Sequence, residues 1–144
     1  MPNDGKRAIR VVVIEDNTPD VILIGECLNG TSTPYELIHF RDGDEALAGV
    51  KSTVAGGRLP DLIVLDLNMP KVNGLEVLEA IKQDPVLANV PVVVLTSSAA
   101  PEERQAAERL GADRYLRKPF DLYEFLEQVG GIVRELIPLD DTRP

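Results

Sequence analysis

Four short stretches of the chain are dominated by apolar and β-branched positions: Ile9–Ile14, Tyr35–Phe40, Leu62–Leu65 and Val92–Leu95. Apolar runs without alternation predict strands buried on both faces, which is the signature of a parallel sheet covered by helices. Arg114–Leu116 is a shorter and weaker fifth strand. Between these runs the apolar positions change to helical spacing. Pro19–Leu28 places Val21, Ile24 and Leu28 on one face, with Thr18 as the expected cap and Pro19 at the first helical position. Asp44–Val50 carries Ala46, Leu47 and Val50, and Leu75–Ile81 sets Leu75, Leu78 and Ile81 three residues apart. Pro101–Leu110 opens on proline and stops before Gly111. The last helix starts after Asp121, with Glu124 completing a capping-box pattern, and Gly130-Gly131 weakens its middle.

Strand and helix alternate through five strands and five helices, which predicts right-handed βαβ units and an α/β doubly wound sheet. One domain over residues 8–137 is expected, with flexible termini at 1–7 and 138–144 and a surface connection over 55–60. No further domain is expected to follow, so any output runs through protein contact or a phosphate relay.

With 144 residues, 44% apolar and 27% charged, the chain has an ordinary globular composition and can bury a core. A formal net charge of −9 opposes binding to nucleic acid and to anionic membranes. It suits protein partners or a divalent cation, and charge alone chooses neither. No apolar run is long enough to span a bilayer, and Lys6-Arg7 is not followed by a signal-peptide pattern, so a cytoplasmic location is expected. The single cysteine, Cys27, agrees with a reducing compartment. Cys27 and His39 invite a redox or metal reading, but core packing accounts better for both.

In an open parallel sheet, ligands gather at the carboxyl ends of the strands. The first strand runs into Glu15-Asp16, the third into Asp66, the fourth into Thr96-Ser97-Ser98, and the fifth into Lys118. Taken singly, the acidic pair reads as a helix cap, Asp66 as a loop carboxylate and Lys118 as a solvated lysine. Together they put three carboxylates, a hydroxyl and an ammonium on one rim. Crowded carboxylates repel, and a hard cation with oxygen ligands relieves them; Mg²⁺ is the abundant candidate. Asp16 and Asp66 are the expected direct ligands, with Glu15 acting through a water. Asp66 also suits a nucleophile forming an acyl phosphate, with Lys118 and Thr96 on the other phosphoryl oxygens.

The segments Val11-Val12-Val13-Ile14-Glu15-Asp16, Leu65-Asp66-Leu67-Asn68-Met69-Pro70 with Gly74, Leu95-Thr96-Ser97 and Lys118-Pro119-Phe120 resemble the landmarks of two-component receiver domains. The resemblance spans about residues 8 to 134, with the landmarks in order. It implies a flavodoxin-like (βα)5 fold with strand order 2-1-3-4-5, and a response regulator rather than an enzyme. By the same resemblance Asp66 is the phosphoacceptor, and Glu15, Asp16, Asp66 and the Asn68 main-chain carbonyl hold Mg²⁺. Thr96 and Lys118 bind the phosphoryl group, Thr96 and Tyr115 form the switch, and the Lys118–Pro119 bond is cis. Asn68 and Ser98 flank the path of attacking water and are expected to tune the lifetime of the phosphorylated form. The acidic pair is Glu-Asp here, where Asp-Asp is also common in the family.

The segments Asp66–Lys71, Gln83-Asp84-Pro85 and Val90–Ser98, with the long loop before Leu59-Pro60, resemble stand-alone receivers served by bacterial phytochromes. That implies a sensor histidine kinase, light-regulated, as donor, and a downstream protein target or phosphotransferase as recipient. Receivers serving other kinases share these features. Ile132, Val133, Leu136, Ile137 and Leu139 suit either a homodimer surface or the packing of the terminal helix. Two other readings compete: a small Mg²⁺-dependent phosphohydrolase, which lacks a second acid at Asn68 and room for a cap, and a pseudo-receiver, which the intact Asp66, Thr96 and Lys118 oppose.

Overall fold

The computed structural model describes residues 8–30, 33–55, 59–69, 73–119 and 121–137; within it the side chains of 50–55 are not described. Five strands alternate with five helices: β1 Ile9–Ile14, α1 Thr18–Asn29, β2 Tyr35–Phe40, α2 Gly43–Ala55, β3 Leu62–Asp66, α3 Gly74–Gln83, β4 Val92–Thr96, α4 Pro101–Arg109, β5 Arg114–Arg117 and α5 Leu122–Leu136. All pairings are parallel and the sheet order is β2-β1-β3-β4-β5. This is the predicted doubly wound flavodoxin-like sheet. Its order reverses at β1, so a crevice opens at the carboxyl ends of β1 and β3.

Alternate residues of each central strand feed two cores. Val12, Ile14, Ile63, Leu65, Val92 and Val94 pack beneath α2, α3 and α4. Val11, Val13, Leu62, Val64, Val93 and Leu95 pack beneath α1 and α5, against Ile24, Cys27, Phe125, Val129 and Val133. Every residue of β3 and β4 is buried, which is why their sequences show no alternation. Val133 and Ile137 are buried in the second core, and Ile132 and Leu136 pack partly buried against it.

Several local expectations shift. The cap of α1 is Asn17, whose side chain accepts from Asp20 N, and Thr18 is already helical. Both residues are good caps, and the chain uses the earlier one. Asn73 caps α3 by accepting from Leu75 N at 2.9 Å. The helix α2 runs five residues beyond Val50, and α5 passes unbroken through Gly130-Gly131. Gly111, just past α4, has φ 103°, a left-handed conformation that closes the helix and favours glycine. The termini 1–7 and 138–144, the connection over 56–58, Pro70, Phe120 and Leu139 lie outside the described residues.

Candidate phosphoacceptor and metal site

The sheet brings the predicted residues to one rim. Register sets Asp66 opposite Leu95 and Thr96 opposite Arg117, and Lys118 N donates to the Thr96 carbonyl at 2.7 Å. Glu15 and Asp66 are 1% and 3% exposed and Thr96 is fully buried, whereas Asp16 is exposed. Carboxylate oxygens of Glu15, Asp16 and Asp66 lie within 4.8 Å of one another. Asp66 Oδ1 accepts from Asn68 N at 2.9 Å, folding the turn after β3 back over the Asp66 carboxylate.

Lys118 supplies the positive charge. Its ammonium stands 3.0 Å from Glu15 Oε1, 3.6 Å from Asp66 Oδ2 and 2.8 Å from Asp20 Oδ2. Burial pulls the Lys118 pKa down, but the hydrogen bond that Lys118 donates to Asp20 and the charges of Glu15 and Asp66 outweigh it, and the pKa rises. Burial, then the hydrogen bond and charge of Asp66, push Glu15 up to about 8 against the pull of Lys118. One ammonium is therefore too little charge for this many carboxylates. Two buried carboxyl groups side by side, with a third that faces solvent, suit a hard divalent cation with oxygen ligands.

Thr96 Oγ1 is bonded to Asn68 Oδ1, accepts from Ser98 N at 3.0 Å and lies 3.0 Å from Glu103 Oε1. The Tyr115 hydroxyl donates to the same Glu103 oxygen at 3.2 Å, and the Arg104 guanidinium sits 5.6 Å from the ring centroid. Burial, then the charge and hydrogen bond of Glu103, push the Tyr115 phenol up to about 12.

Two expectations are corrected. No cis peptide occurs among the described residues, so Lys118–Pro119 is trans, the form intrinsically favoured for an X–Pro bond. His39 does more than fill the core. Its Nε2 lies 2.7 Å from the Glu15 carbonyl, which can only accept, so that nitrogen carries the proton and braces the acidic pair. Asp20 and Glu103 were missed by sequence reasoning. Asp20 carries a weak signal, since it falls four residues after Asp16 in the first turn of a helix that starts at the rim.

Comparison with known proteins gives the arrangement its family. The response regulator receiver domain family matches residues 11–130. This chain is a receiver domain. It is 39% identical over 124 residues to the response regulator Rcp1 of Synechocystis sp., covering 85% of this chain and 84% of that protein. It is 32% identical over 119 residues to the polar-differentiation response regulator DivK of Brucella anthropi, covering 83% and 91%. The crystal structure of the phosphorylated cyanobacterial phytochrome response regulator RcpA superposes with a TM-score of 0.84 at 37% identity, covering 90% of this chain and 94% of that one. The Mn²⁺-bound form of Rcp1 gives 0.82 at 36% identity, with 94% and 99% covered. Receivers act in two-component signalling, where they accept a phosphoryl group and switch conformation, and this one has that function. Histidine kinases are the partner class of phytochrome-associated receivers. No described helix is long and apolar enough to cross a membrane.

Proposed function

We propose that residues 8–137 form a receiver whose Asp66 takes a phosphoryl group from a sensor histidine kinase of the phytochrome-associated kind, in a Mg²⁺-dependent reaction. One observation carries the reading. The carboxylates of Glu15, Asp16 and Asp66 converge within 4.8 Å while the Lys118 ammonium reaches both buried ones.

Glu15, Asp16, Asp66 and the Asn68 carbonyl would hold the Mg²⁺. When bound, it supplies positive charge and oxygen coordination for the incoming phosphoryl group. Asp66 Oδ2 attacks phosphorus, and the nitrogen of the donor histidine leaves with the electrons of the broken P–N bond. Lys118 leaves Glu15 to neutralise one phosphoryl oxygen, and the Thr96 hydroxyl donates to another. Asn68 and Ser98 stand beside the acyl phosphate and set how readily water reaches it. The added charge draws Thr96 toward Asp66, and Tyr115 repacks in response. That is a population shift between two packings, read out by protein–protein contact.

The similarity to RcpA and Rcp1 supports a phytochrome-type kinase, and the acidic surface supports protein partners. Intact-protein mass after acetyl phosphate treatment tests the chemistry. One phosphoryl adduct is expected on the wild type with Mg²⁺, and none with EDTA or on Asp66→Asn. An adduct that forms without metal, or persists on Asp66→Asn, overturns this assignment.

A further inference from the structure

The hydroxyls of Thr96 and Tyr115 share one carboxylate. Glu103, half-buried in the first turn of α4, presents Oε1 at 3.0 Å from Thr96 Oγ1 and 3.2 Å from the Tyr115 hydroxyl.

Proton accounting sharpens this contact. Thr96 has a single hydroxyl proton, and its oxygen faces Asn68 Oδ1, Glu103 Oε1 and the Ser98 N–H. The N–H donates to it, and a carboxylate can only accept. The amide end of Asn68 can turn to present its NH₂ instead. Every partner is then satisfied in one order: Asn68 donates to Thr96, Thr96 donates to Glu103, and Tyr115 donates to the same Glu103 oxygen. The chain runs from the residue two past the phosphoacceptor to the tyrosine on β5. Arg104 caps the outer face of the Tyr115 ring, and that ring borders a cavity of about 270 Å³ with Ser98, Pro101 and Arg117, so it has room to move once released.

We propose that Glu103 is a positioning residue, a latch whose single oxygen holds Thr96 and Tyr115 together in the unphosphorylated state and must surrender Thr96 before the phosphoryl group can be bound. This rests on Asp66 being the phosphoacceptor and Thr96 its hydroxyl partner. Phosphorylation is then opposed by the loss of one charge-assisted hydrogen bond. Removing the latch should raise the rate by about tenfold, the scale of such a bond.

The test uses the full chain carrying 3-fluorotyrosine, with the Tyr115 resonance assigned through Tyr115→Phe. The variants are Glu103→Ala and Glu103→Gln, and melting curves establish that each is folded. Two quantities are read: the initial rate of adduct formation with acetyl phosphate and Mg²⁺, and the Tyr115 fluorine resonance of the untreated protein. Glu103→Ala is expected to react about tenfold faster, with the resonance moved toward its position in phosphorylated wild type. Glu103→Gln keeps the size and one accepting oxygen and should fall between. A Glu103→Ala rate within twofold of wild type, or a resonance that does not move, overturns the latch. Wild type that takes no phosphoryl group at all defeats the phosphoacceptor assignment instead, and the untreated resonance still judges the Glu103–Tyr115 contact.

Discussion

Gly74, the first residue of α3, is buried against Leu67, the residue after Asp66. A Cβ added there would meet Leu67 Cα at 2.4 Å and the Leu67 carbonyl oxygen at 2.9 Å. Carbon atoms in ordinary contact stand about 3.5–4.0 Å apart, so either α3 or the turn after Asp66 must move by roughly 1 Å. Both walls are backbone and neither can yield by turning a side chain. Overpacking costs about 1–3 kcal/mol, and this geometry places Gly74→Ala at the upper end. For a domain near this size that is a fall in melting temperature of about 10 °C. Gly131 supplies the control. It lies inside α5 with nothing within 4 Å of an added Cβ, so Gly131→Ala should gain about 0.5–1 kcal/mol from helix propensity and melt about 3 °C higher. Thermal melts of both variants by circular dichroism, metal-free, give the comparison. Acetyl phosphate uptake should also slow in Gly74→Ala alone, because Leu67 adjoins Asp66. Melting of Gly74→Ala within about 2 °C of the parent would refute the close approach of α3 to the Asp66 turn.

Other consequences follow from the buried charges and the buried thiol. Because Glu15 is raised from 4.5 to about 8 on folding, the unfolded chain gives up that proton first. Its contribution to metal-free stability is therefore full below the lower value and is lost as pH rises toward the upper one, a slope that Glu15→Gln should flatten. Urea midpoints in EDTA at the two ends of that window would show it, and equal slopes would count against it. Lys118→Met leaves Glu15 and Asp66 buried without their shared cation. The cost should be about 2 kcal/mol in metal-free protein, less than the usual loss for a broken buried pair because burial already favours the neutral form of Glu15; an unshifted denaturant midpoint would refute it. Burial pushes the Cys27 thiol up to about 11, so disulfide reagents should label it slowly until denaturant is added, and rapid labelling of folded protein would contradict its packing.

How legible these features were depended on whether their cause was local. The bounds of β1 and β2 were readable because polar or turn residues flank each run. The apolar pattern predicts β3 ending at Leu65 and β4 at Leu95, since Asp66 and Thr96 interrupt it; in the fold each is the last strand residue, which is what aims it at the rim. The choice between Asn17 and Thr18 as cap was not readable, because both side chains can accept the same kind of bond. The rim itself was readable from strand ends, and it brought Glu15, Asp16, Asp66, Thr96 and Lys118 together. Asp20 and Glu103 depend on where α1 and α4 begin relative to the sheet, a tertiary placement with no periodic trace. Asp20 and Glu103 change the site from an acidic pocket with one lysine into two networks, one holding the Lys118 ammonium and one holding the Thr96 and Tyr115 hydroxyls.

The most direct test of the central claim asks which atom carries the phosphoryl group. Borohydride reduces an aspartyl phosphate to homoserine, so protein treated with acetyl phosphate and Mg²⁺, reduced and then mapped by peptide mass, should show homoserine in place of Asp66 and nowhere else. A stable phosphoester found on Thr96 or Ser97, with Asp66 unreduced, would contradict the account.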